Sequence, residues 1–112
     1  MEKLRHNQRR RVPRVIVDLA VTLIAGKKKF RSRVLQLSEF GILVASAHKD
    51  LIGQKIRVDL SLEPPHQSLS LSAVVVYTNN GGTGIRFEDE SAAQHALLKS
   101  YVQARGIGIV KQ

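Results

Sequence analysis

Cysteine is absent from this chain. That removes disulfides, thiolate zinc sites and cysteine nucleophiles together, and it fits a reducing compartment. Tryptophan is absent too, and aromatic residues make up only 4% of the chain, too few for the stacking platform of a single-strand nucleic-acid binder. No apolar run approaches the roughly 20 residues of a membrane span. The start, Met1-Glu2-Lys3-Leu4-Arg5-His6, lacks the apolar segment of a signal peptide. A cytoplasmic location is the expectation. Proline occurs only at Pro13 and in the Pro64-Pro65 pair, which leaves long stretches free for ladder pairing.

Acidic residues are also scarce. Nine Asp and Glu face 18 Lys and Arg, for a net charge of +9. The basic residues cluster at Arg9-Arg10-Arg11-Val12-Pro13-Arg14 and again at Lys27-Lys28-Lys29, Arg31 and Arg33, whereas the acids collect late, at Glu88-Asp89-Glu90. Four guanidinium groups within six residues repel one another unless an anion binds them. Arginine is the side chain best suited to forked bonding of phosphate and guanine edges. The bland reading is a solvated basic arm.

Hydrophobic residues make up 43% of 112 residues, enough for one domain with a real core and too few residues for two. Val15, Val17, Leu19, Val21 and Leu23 alternate with Ile16, Asp18, Ala20, Thr22 and Ile24, the period of a strand. Ala25-Gly26-Lys27-Lys28 supplies a turn. Further strands are expected over about 30–37 and 41–46. In the next, Ile56, Val58, Leu60 and Leu62 share one face. Glu63-Pro64-Pro65-His66 must be a loop. Leu69, Leu71, Ala73, Val75 and Tyr77 read as the inward face of a fifth strand, and Asn79-Asn80-Gly81-Gly82 as a hairpin turn before the strand 83–88. Ser91 and Gln94 fit a capping box, followed by Leu97, Leu98, Tyr101 and Val102 at helical spacing, with Gly106 as the stop. The fold expected is mainly β: a six-stranded antiparallel barrel, which removes exposed edges, with a C-terminal helix. The expected division is a flexible basic arm over 1–8, a single domain over 9–105 and a tail over 106–112.

Catalytic chemistry finds little support. His6, His48, His66 and His95 are scattered without metal-ligand spacing and read as surface histidines. Asp18 reads as a partner for a nearby arginine, and Ser38 has no neighbouring base to make it a nucleophile. No enzyme, metal or cofactor is expected.

A specific resemblance arises from two motifs. Arg10-x-x-x-Arg14 stands just before the first strand, and Gln36-x-Ser38-x-x-Gly41 stands at the turn between the second and third. In this order and placement they resemble the R-x-x-x-R and D/N-x-S-x-x-G motifs of the PilZ domain, a bacterial receptor module for cyclic di-GMP. Gly84-Ile85-Arg86-Phe87 is similar to that family's last strand. The likeness runs from about residue 9 to 102.

The resemblance implies a split barrel whose outer surface holds cyclic di-GMP. Arg10 and Arg14 would bond guanine and phosphate, Ser38 and its neighbours would meet the other base edge, and Gly41 would allow close backbone approach. Arg9 stands where the family tunes stoichiometry. An arginine there resembles those that favour an intercalated pair of ligands, with Arg9 and Arg11 supplying the added guanidinium charge. Binding would order an otherwise mobile arm and signal to an effector protein in trans. Gln36 departs from the pattern, keeping an amide but adding a methylene where the family has Asp or Asn. Tyr77 reads as core or rim, with stacking on a base as the other reading. Two other classes stay open. One is a PilZ-like protein-interaction module that binds no nucleotide, with the apolar tail 107–110 and the exposed side of the helix as its surface. The other, less favoured, is a basic nucleic-acid-binding barrel.

Overall fold

The computed structural model describes residues 13–62 and 68–105. The strands are β1 (Val15–Ala25), β2 (Lys28–Leu37), β3 (Gly41–Val44), β4 (Lys55–Ser61), β5 (Ser68–Asn79) and β6 (Gly82–Glu88), followed by the helix α1 (Ala92–Ala104). All neighbours pair antiparallel, and the strands close a barrel in the order β1-β2-β3-β6-β5-β4. The barrel and terminal helix are those expected. Arg9, Arg10, Arg11, the arm over 1–8, the loop over 63–67 and the tail over 106–112 lie outside the described residues.

The alternation on β4 holds throughout: Ile56, Val58, Leu60 and Leu62 are all buried. With Leu19, Val21 and Leu23 of β1 and Leu69, Leu71 and Val75 of β5 they fill the barrel. Each such side chain contributes about 1.5–3 kcal/mol relative to exposure. In β1 a bulge at Val17-Asp18 interrupts the pairing with β2. Arg33 clamps it, donating from Nε to the Asp18 carboxylate at 2.8 Å and from a terminal nitrogen to the Asp18 carbonyl at 2.9 Å. The expected pairing of Asp18 with a nearby arginine is thus met, on an exposed surface where such a pair contributes about 1 kcal/mol at most.

The third strand ends at Val44, two residues before the expected limit. The chain turns inward there because Ser46 joins a polar cluster. Its hydroxyl bonds Ser32 Oγ at 2.8 Å and His48 Nε2 at 2.6 Å, and its carbonyl accepts from Thr83 Oγ1 at 2.7 Å. His48 is therefore buried, edge-on to Phe30 at 5.0 Å, and not at the surface. Pattern reading missed this because the cluster joins residues far apart in sequence.

Antiparallel closure sorts the connections. The turns β1–β2, β3–β4 and β5–β6 stand at one end of the barrel, and the β2–β3 turn, the β4–β5 loop and the β6–α1 link at the other. At the second end Ser91 caps α1: its hydroxyl accepts from Gln94 N at 3.0 Å, and its own N–H donates to Gln94 Oε1 at 3.1 Å. The Gln94 amide also donates to the Ser70 carbonyl at 2.9 Å, tying the helix start to β5. Leu98, Tyr101 and Val102 join the core.

Candidate functional site

Pairing register lines up one row of residues across the outer wall. Ile16 pairs with Gln36, Gln36 with Leu43, Leu43 with Gly84, and Gly84 with Tyr77. Tyr77 was expected inside with Val75. Instead Val76 is an extra residue relative to β6. This bulge reverses the alternation beyond it, leaving Val76 and Tyr77 each 46% exposed. Glycine at position 84 makes room for the ring: a β-carbon there would stand 2.2 Å from a Tyr77 ring carbon. Phe40 is also exposed.

The turn after β2 is built by Ser38. Its hydroxyl accepts from the N–H groups of Phe40 and Gly41, both at 3.1 Å, while its own N–H donates to the Gly41 carbonyl at 2.9 Å. The carbonyl of Phe40 accepts from Phe87 N at 2.8 Å, fastening the turn to β6. Gly41 is required by proximity and not by a left-handed backbone: a β-carbon there would lie 2.3 Å from the Ile85 carbonyl oxygen.

These elements line a groove of about 440 Å³, within the usual range for ligand sites, that brings together Arg14, Gln36, Ser38 and Gly41. Four of the six residues expected at the site therefore meet; Arg9 and Arg10 lie outside the described residues. Pattern reading did not identify Phe40, Leu43, Val76, Gly84 and Arg86, which also line the groove. Only the pairing register shows which of them face outward. Arg86 is engaged by Glu88 at 3.2 Å, whereas Arg14 is exposed and makes no ion pair among the described residues. A mostly apolar floor with an uncommitted guanidinium at its edge suits a flat aromatic ligand carrying negative charge.

Behind the turn stands a titratable cluster. His95 of α1 bonds Glu39 at 2.6 Å, lies 3.9 Å from Glu90, and stacks tilted on Phe40 at 5.5 Å. It stays at the surface, its side chain 38% exposed, but is held by these partners. Burial pushes the Glu90 carboxyl above its ordinary range; His95 opposes this and Glu39 adds to it. Its Oε2 has no hydrogen-bond partner among the described residues. A carboxyl with a raised folded pKa costs stability when ionised, and this cost fades as pH falls through the folded pKa toward the unfolded value. Glu90→Gln should therefore raise the melting temperature at pH 7 by on the order of 2 °C. The gain should shrink as pH falls through the raised folded pKa, as thermal melts across pH would show. Among the described residues no group of His, Asp and Glu could hold a metal ion, and no helix is long and apolar enough to cross a membrane.

Comparison with known proteins follows the same lines. The fold is similar to the Bacillus subtilis inhibitor of motility MotI/DgrA, with a TM-score of 0.73 and 22% identity over 89% of this chain and 52% of that one. This chain thus spans about half the length of that protein. It is also similar to the PilZ domain of YcgR from Escherichia coli, solved with c-di-GMP, with a TM-score of 0.70 and 15% identity over 89% of this chain and 93% of that one. A search of curated protein sequences finds no match. The family model of the PilZ domain matches residues 8–104, nearly the whole chain including both motifs, and the chain belongs to the PilZ domain family.

Proposed function

We propose that this chain is a cyclic di-GMP receptor that acts on an effector protein in trans and catalyses no reaction. One observation carries the reading: Arg14 and the Gln36–Gly41 turn, remote in sequence, border one groove on the outer wall. The c-di-GMP held by the similar YcgR domain supports the ligand class. Arg14, with Arg10 beside it in sequence, donates to guanine acceptors and phosphate oxygens. The Ser38 hydroxyl accepts from two backbone N–H groups and donates only a long bond, so its proton can turn to a ligand. Its alternative acceptor, the Gly41 carbonyl, lies 3.4 Å away. The amide of Gln36, half-buried in the row, offers donor and acceptor to a base edge. The Tyr77 ring gives a purine an apolar face to lie against. Arg9 supplies charge for a second, intercalated ligand.

Calorimetric titration of the purified chain tests this. Cyclic di-GMP should bind in preference to GTP and random oligonucleotides, at two ligands per chain, falling to one on Arg9→Ala. No heat with cyclic di-GMP would leave the protein-interaction module. Oligonucleotide binding that collapses with salt would favour the nucleic-acid barrel.

A further inference from the structure

The barrel end remote from the β2–β3 turn has a different chemistry. The β1–β2 turn places Lys27, Lys28 and Lys29 there, all exposed. The β3–β4 connection must cross this mouth, because β6 and β5 stand between the strands it joins. It turns His48 and Leu51 inward and leaves Lys49, Asp50 and Ile52 exposed, Ile52 at 47%. The ring contact of Phe30 with His48 brings the start of β2 beside this connection. None of these four lysines makes an ion pair among the described residues, and Asp50 is the one acid of the connection.

We propose that this end docks on an anionic lipid bilayer. The exposed Arg31 follows Lys29 on the outward face of β2, but the turn and the connection themselves carry only lysines, compact point charges without the forked geometry that fixed phosphates select. Such charges suit a diffuse field of mobile lipid headgroups. The exposed Ile52, on the same connection as Lys49, offers the apolar contact that a bilayer interface rewards and a duplex nucleic acid does not. Phe30, at the start of β2, is half-buried against His48, and the exposed Tyr77 lines the ligand groove, which leaves little for base stacking here. Docked this way, the barrel keeps the Ser38–Gly41 turn and α1 on the side away from the membrane. The inference is independent of the ligand reading.

Vesicle co-sedimentation with the full chain tests it. The chain should bind vesicles of equal parts phosphatidylglycerol and phosphatidylcholine and leave pure phosphatidylcholine vesicles bare. Because each lysine near such a surface contributes about 1 kcal/mol, the triple variant Lys27→Gln/Lys28→Gln/Lys29→Gln should bind about a hundredfold more weakly. Ile52→Ser should bind roughly fivefold more weakly. Unchanged melting curves would show that both variants fold. A variant with Arg9, Arg10 and Arg11 changed to Gln separates the arm's charge and should keep lysine-dependent binding. The proposal fails if the chain ignores anionic vesicles, if the lysine triple binds like wild type, or if the arm variant alone abolishes binding. It also fails if the lysines matter equally for duplex DNA or polyglutamate while Ile52→Ser leaves vesicle binding intact.

Discussion

Replacing Arg14 with alanine should weaken cyclic di-GMP binding about a hundredfold while leaving the melting temperature within about 2 °C of wild type. Arg14 is exposed, precedes the first ladder pair and makes no ion pair among the described residues. Its removal therefore orphans no partner and opens no cavity, the two usual sources of large destabilisation. Its cost falls on the ligand, where a guanidinium bonded to phosphate and a base edge contributes charge-assisted, forked hydrogen bonds. Arg14→Lys sharpens the test. Lysine keeps the charge and loses the fork, so binding should fall about tenfold if the bonding is bidentate and hardly at all if only charge matters. Calorimetry with parallel thermal melts reads both. Wild-type affinity in both variants would remove Arg14 from the site, and a matching drop in melting temperature would make its role structural.

Much of this fold is legible in the sequence because a half-buried strand writes its alternation directly into the chain. Ile56 to Leu62 shows this, and the Ser91–Gln94 cap does the same for the helix. What escapes is set by pairing between distant strands. Nothing local to Val74-Val75-Val76-Tyr77 says that one residue bulges, so the sequence leaves Tyr77 between core and rim. His48 reads as a loop residue because Phe30 and Thr78, which it contacts, come from elsewhere in the chain. The site divides in the same way. Arg14, Ser38 and Gly41 are found as motif letters, whereas Leu43 and Gly84 acquire a role only once the register sets them side by side. Motif letters also conceal why a residue is needed, and Gly41 shows this most clearly.

Gly41→Ala should lower the melting temperature by about 15 °C, the effect of roughly 3 kcal/mol in a domain of this size. The new methyl carbon would stand 2.3 Å from the Ile85 carbonyl oxygen and 3.3 Å from the Arg86 α-carbon. Both are backbone atoms of β6, which pairs with β3 through Gly41 itself. No side chain can swing aside, so the strands must separate where Phe40 and Phe87 also bond. Gly26→Ala is the control. Its β-carbon meets nothing within 4 Å, and only its φ of +61° resists substitution, for about 1 kcal/mol. Thermal melts followed by far-ultraviolet circular dichroism should rank the two clearly. The motif glycine then serves the ligand indirectly, by letting β3 lie close enough to β6 for the groove to have a floor. A Gly41→Ala chain that melts like wild type yet loses cyclic di-GMP would reverse this, making the glycine a clearance for the ligand and not for the barrel.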